Sequence, residues 1–196
     1  MEEKDLSGAE SLRLINEMIG KAKADYRETG VSALLWGSVI VFCSLATLVN
    51  QWLHWPVLRE VWWLTFLAVL PQIWIARRES KNVPYRKYTD TAFNNVWIAF
   101  GISLGLLSFY NGVHNPGSGA SLFLIMYGIP TFVVGRTANI KSMILGGVIC
   151  WLCAIVSFYT PRIWDVALTG FAALCAWFIP GILLRRDYLD AKRRHV

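Results

Sequence analysis

Six long apolar runs leave this chain few folds to choose from. They cover about 31–50, 61–76, 92–110, 120–135, 143–159 and 164–184, and no Asp, Glu, Lys or Arg falls at the middle of any of them. A helix rising about 1.5 Å per residue needs roughly 20 such residues to cross about 30 Å of hydrocarbon. Within lipid, a helix satisfies every backbone N–H and C=O inside its own segment. A water-soluble core has no need of such runs, and a chain that is 55% hydrophobic and 16% charged, with mean hydropathy +0.43, matches the membrane reading. The expected fold is therefore all-α: a polytopic membrane protein with six transmembrane helices arranged as three hairpins.

The cations fix the expected orientation. Lys and Arg are costly to translocate, so short loops that carry them stay in the cytoplasm. Every lysine and arginine except Arg59 and Arg162 falls in residues 1–30, in the loop after the second run, in the loop after the fourth, or at the C-terminus. Both chain ends are then cytoplasmic, which requires an even number of crossings. The formal charge of +6 is explained by this topology and by anionic lipid rather than by nucleic acid. Many of the ten Trp and seven Tyr flank the runs, where amphipathic rings settle at the interface.

Three segments follow. Residues 1–30 form an expected cytoplasmic amphipathic helix: Leu12, Ile15, Ile19, Ala22 and Tyr26 recur at three- and four-residue spacing, Ser7 and Glu10 can form a capping box, and Gly30 is a natural stop. Residues 31–184 hold the six spans, and 185–196 are a basic cytoplasmic tail. Charged residues fill the N-terminal segment and exclude a cleavable signal peptide, so the first span serves as an uncleaved signal.

An internal repeat marks the even-numbered spans: an apolar residue, proline, five residues, arginine. It occurs as Leu70-Pro71 to Arg77, Ile129-Pro130 to Arg136 and Ile179-Pro180 to Arg186. Each proline deletes an amide donor and leaves the carbonyl four residues earlier, on Leu67, Met126 or Ala176, without its usual partner. In hydrocarbon that carbonyl needs a neighbouring helix, a side chain or a trapped water, so such prolines are expected to face protein or a cavity. Pro71, Gln72, Pro130, Thr131 and Pro180 are accordingly the candidate kink or cavity residues, with the three even helices sharing an axis. Gly37, Gly101-x-x-x-Gly105 and Gly146-Gly147 on the odd helices offer close backbone approach. Packing within the chain is the expected use of Gly101 and Gly105, with a homo-oligomer as the alternative.

Catalytic chemistry finds little support. Cys150-x-x-Cys153 has redox or metal spacing but lies mid-span, where thiols act as small apolar groups. His54, His114 and His195 are scattered, and no cluster with metal-ligand spacing, nucleophile motif or phosphate loop is present. Glu60, His114 and Asp165 on the outer side are expected to be solvated loop charges. Spans without a central ionisable residue argue against ion-coupled transport. No cofactor is called for, and the protein is expected not to be an enzyme.

The mitochondrial carriers also combine three hairpins with prolines, but Ile73, Phe132 and Ile182 stand where that family's motif places an acid two residues after the proline. The chain instead resembles uncharacterised bacterial six-span inner-membrane proteins that carry a short charged N-terminal helix. The resemblance rests on Glu10-Ser-Leu through Ile19, Trp36-Gly37, Tyr127-Gly-Ile-Pro130 and Gly146-Gly147 with Cys150-Trp151, and it covers most of the chain. It implies a bacterial inner membrane and brings no activity with it. The leading expectation is a non-enzymatic, partner-binding or regulatory protein acting at the cytoplasmic face. There Lys21, Lys23, Arg27, Arg77, Arg78, Arg86, Lys87, Arg136 and Arg186 meet anionic lipid headgroups or a protein partner. The alternative is a transporter or channel for a small neutral solute.

Overall fold

The computed structural model describes residues 29–55, 60–81, 88–114 and 119–194. Residues 1–28 of the expected N-terminal helix, with Lys21, Lys23 and Arg27, and the connector cations Arg86 and Lys87 lie outside the described residues. Within them the fold is all-α: α1 (Val31–Leu53), α2 (Trp63–Lys81), α3 (Tyr88–His114), α4 (Ala120–Thr137), α5 (Lys141–Ser157), α6 (Arg162–Ala173) and α7 (Ile179–Arg194). A π-helical turn, Leu174–Phe178, joins α6 to α7 without a break, so these three pieces form a sixth rod.

Four rods are long and apolar enough to cross a membrane: α1, the Asn94–Val113 part of α3, α4, and Ile163–Asp190 of the sixth rod. The chain is a helical, polytopic membrane protein. The other two rods fall short for different reasons. α5 is apolar but has only 17 residues, and α2 ends in Arg77-Arg78-Glu79-Ser80-Lys81.

Helices also extend into segments whose charge suggests loop or tail. α2 continues to Lys81, α3 starts at Tyr88, and the C-terminal segment 185–196 is helical as far as Arg194. Charge alone does not stop a helix. No proline follows Pro71 until Pro84, and neither glycine nor proline follows Gly181.

α1, α4, α5 and the sixth rod form the inner bundle, with α2 packed on α1 and α3 on α4. The most extensive pairing joins α4 to α5 and so crosses the boundary between the proposed repeat units. The turn between them, Ala138-Asn139-Ile140, explains the closeness. Asn139 takes the left-handed conformation at φ 57°, its N–H donates to the Arg136 carbonyl, and the Ile140 N–H reaches the Gly135 carbonyl at 2.8 Å. This is a Schellman closure, which reverses the chain while satisfying the last carbonyls of α4.

Lipid removes the hydrophobic drive between helices, so close packing has to replace it. α1 runs antiparallel to the sixth rod, and small residues set their spacing. A methyl group on Gly37 would stand 2.6 Å from the Phe178 nitrogen, and one on Gly146 of α5 2.5 Å from the Ala176 Cα. Gly30, at φ 71°, starts α1 against Gly181 and Arg185 of α7.

The three prolines are not equivalent. Pro130 and Pro180 are buried in the inner bundle, whereas Pro71 is exposed on the outside of α2. The π turn directly precedes Pro180, and within it the Ile179 N–H donates five residues back, to the Leu174 carbonyl. The hydrogen-bond ladder has therefore already left its four-residue step where the proline donor is missing.

Candidate functional site

The basic end of the bundle is the first candidate. Thr29 at the head of α1 donates to Glu79 at the foot of α2, and Gly30 abuts Gly181 and Arg185. Val134 and Met143 form a small core with Trp97, Ala138, Ile140 and Leu184, which brings α3, the end of α4, the start of α5 and α7 to the same level. Each lysine and arginine whose side chain is described belongs to this end: Arg77, Arg78, Arg136, Lys141, Arg185, Arg186 and Arg193. All are exposed except the half-buried Arg185.

Helix ends and aromatic rings hold some of these cations in place. Arg136 lies in the last turn of α4, where a positive charge is stabilised by the helix dipole. The Arg78 guanidinium sits 5.4 Å from the Trp74 ring centroid and that of Arg185 5.6 Å from Tyr188, distances at which the aromatic face attracts a cation. Rings and guanidinium groups paired in this way suit the boundary between hydrocarbon and headgroups.

The second candidate is the set of polar side chains beside the prolines. Gln72 ties α2 to α1: its Oε1 accepts from the Trp36 indole at 3.2 Å and its Nε2 donates to Ser32 Oγ at 3.2 Å. Thr131 is 0% exposed; its hydroxyl donates to the Tyr127 carbonyl at 2.7 Å and accepts from the Trp177 indole at 2.9 Å. Trp177 projects from the π turn into an aromatic group, with centroids 4.7 Å from Tyr127 and 6.3 Å from Phe100 of α3. Both polar residues therefore serve as helix-to-helix ties. Neither tie is visible in sequence spacing, because Trp36 and Trp177 come from other rods.

Asp165 departs from expectation. It is 2% exposed rather than solvated, and its Oδ1 accepts from Ser157 at 2.8 Å and from Thr160 at 3.2 Å. The carboxylate thus bridges the end of α5, the following turn and the first turn of α6. Glu60 is exposed and accepts from the Trp63 indole at 2.9 Å. The His114 side chain lies outside the description. Among the described residues no group of three His, Cys, Asp or Glu is placed to hold a metal ion. Cys150 and Cys153 are buried in the bundle, packed with Leu124, Tyr127 and Trp177.

No family model matches the chain, and neither a curated protein nor a solved structure matches it.

Proposed function

We propose that this is a six-span inner-membrane protein of a bacterium, with both termini in the cytoplasm, that works without catalysis as a docking platform. Its basic end binds an acidic segment of a partner protein. The observation that supports this reading is the gathering of cations from α2, α4, α5 and α7 at one end of the bundle, most of them exposed. By the positive-inside bias that end is cytoplasmic, and the 28 residues that lead into it carry five more cations. The competing reading, a path for a small neutral solute, has less behind it. Its polar candidates Gln72 and Thr131 already bind neighbouring helices.

Two measurements test the proposal. Reporter fusions at both ends should give cytoplasmic signals; an external signal at either end overturns the topology. A partner identified by cross-linking to the intact protein should bind in a salt-dependent way and be lost in R77E/R78E/R136E and on deletion of residues 1–28. Unchanged affinity in both variants overturns the docking role.

A further inference from the structure

α2 and α3 stand on the same side of the bundle without touching. α2 packs on α1 and α3 on α4, and no contact joins α2 to α3 among the described residues. Yet both outer segments lean on one buried cluster that includes Ile40, Tyr127 and Trp177: Trp62 reaches it from the head of α2, and Phe100 and Leu104 reach it from α3. Trp36 of α1 and Phe123 of α4 pack on the same cluster. These five side chains are apolar and only half-buried. The two outer helices are therefore the walls of a furrow open to the surrounding membrane, with the inner bundle as its floor.

Charge gives the furrow a direction. Its wall α2 ends in the exposed Arg77 and Arg78, whereas the opposite end of that wall has Glu60. An anionic group is favoured at the first end and disfavoured at the second. Depth gives it a length. Tyr127 lies nine residues before Arg136 and Trp177 eight before Arg185, which at about 1.5 Å per residue places the aromatic floor roughly 13 Å from the basic rim. That is close to one leaflet of a hydrocarbon layer about 30 Å thick. An acyl chain whose headgroup rests at the rim ends where the rings begin.

We propose that the furrow between α2 and α3 holds one acyl chain of an anionic phospholipid from the leaflet at the basic end, with its phosphate on Arg77 and Arg78. The bulk bilayer supplies it, and its role is to fill the gap that the two helices leave. This goes beyond the docking of a protein partner and does not depend on it, since deletion of residues 1–28 leaves the furrow intact.

The test uses the full chain in nanodiscs containing photoactivatable phosphatidylglycerol or phosphatidylcholine labelled on the acyl chain. Cross-links from phosphatidylglycerol should map to peptides bearing Trp36, Phe100 and Phe123, at about one lipid per chain after detergent exchange. Each rim cation contributes to the preference for anionic over zwitterionic lipid, so R77Q/R78Q should lower that preference roughly 25-fold. L104W, which fills the furrow, should reduce retention of both lipids. Cross-links confined to the outward residues Ile102 and Leu106 overturn the proposal. So does an anionic preference that R77Q/R78Q leaves unchanged, even if L104W fails to fold.

Discussion

Replacing Thr131 with valine isolates the tie between α4 and the sixth rod. Valine keeps the shape of the side chain and removes both hydroxyl bonds, leaving the indole N–H of Trp177, itself 4% exposed, without an acceptor. An orphaned buried donor costs about 1–3 kcal/mol. Interhelical hydrogen bonds in a membrane bundle average only about 0.6 kcal/mol, because the unfolded helices also find partners in lipid. The orphaned group decides the outcome, so T131V should destabilise the bundle by about 1–2 kcal/mol. Trp177→Phe removes the donor instead. It leaves Thr131 bonded to the Tyr127 carbonyl and loses part of a ring, about 1–2 kcal/mol through the cavity. In the double variant no donor is orphaned, so its cost should fall below the sum of the singles by about 1 kcal/mol. Reversible unfolding in mixed micelles, followed by helical circular dichroism, measures all four corners of the cycle. Additivity within about 0.3 kcal/mol, or a T131V protein as stable as wild type, refutes the account of Thr131 as a structural tie.

Glycine positions should divide by location. G37A and G146A force a methyl group against backbone atoms of the sixth rod and should lower stability by about 2 kcal/mol or more, read as a lower melting temperature in detergent. G101A and G105A meet nothing within 4 Å and should be neutral or raise stability by up to about 1 kcal/mol, since alanine loses less backbone freedom in a helix. For Asp165, D165N keeps an acceptor for Ser157 and Thr160 and should cost less than D165L, which orphans both hydroxyls and should cost about 2–3 kcal/mol; the same melts compare them. Q72L cuts α2 loose from Trp36 and Ser32. A disulfide engineered between α1 and α2 near residue 72 should then form several-fold more slowly than in wild type.

Helix existence was legible in the sequence because hydrocarbon allows so few alternatives, and all six apolar runs correspond to rods. Helix ends were less so. Lys and Arg at 77–81 and 185–194 mark the membrane boundary, but they are good helix formers and let the rods continue past it. The proline repeat promised three like hairpins, yet Pro71 faces outward while Pro130 and Pro180 face inward. A recurrent spacing fixes a position along a helix but not which neighbour lies on that face. Gly101-x-x-x-Gly105 illustrates the same limit, since it matches a packing pattern and touches nothing in the chain. The burial of Asp165 had a local sign that charge counting overlooked: hydroxyls at Ser157 and Thr160, within eight residues across a tight turn, can solvate a carboxylate that water does not reach. The partners of Thr131 and Gln72 had no such sign, because indole donors from distant rods reach them only after folding.

The wide turn at Leu174–Phe178 also has a hereditary side. A π turn amounts to one surplus residue inside an α-helix, so losing any single codon between 174 and 178 would restore regular winding. It would also swing everything after it by about 100° around the rod axis. Gly181 and Leu184 would then turn away from Gly30 and from the Val134–Met143 core, and the terminal arginines would point elsewhere. Most positions in this rod tolerate some exchange of side chain, but this stretch has to keep its length.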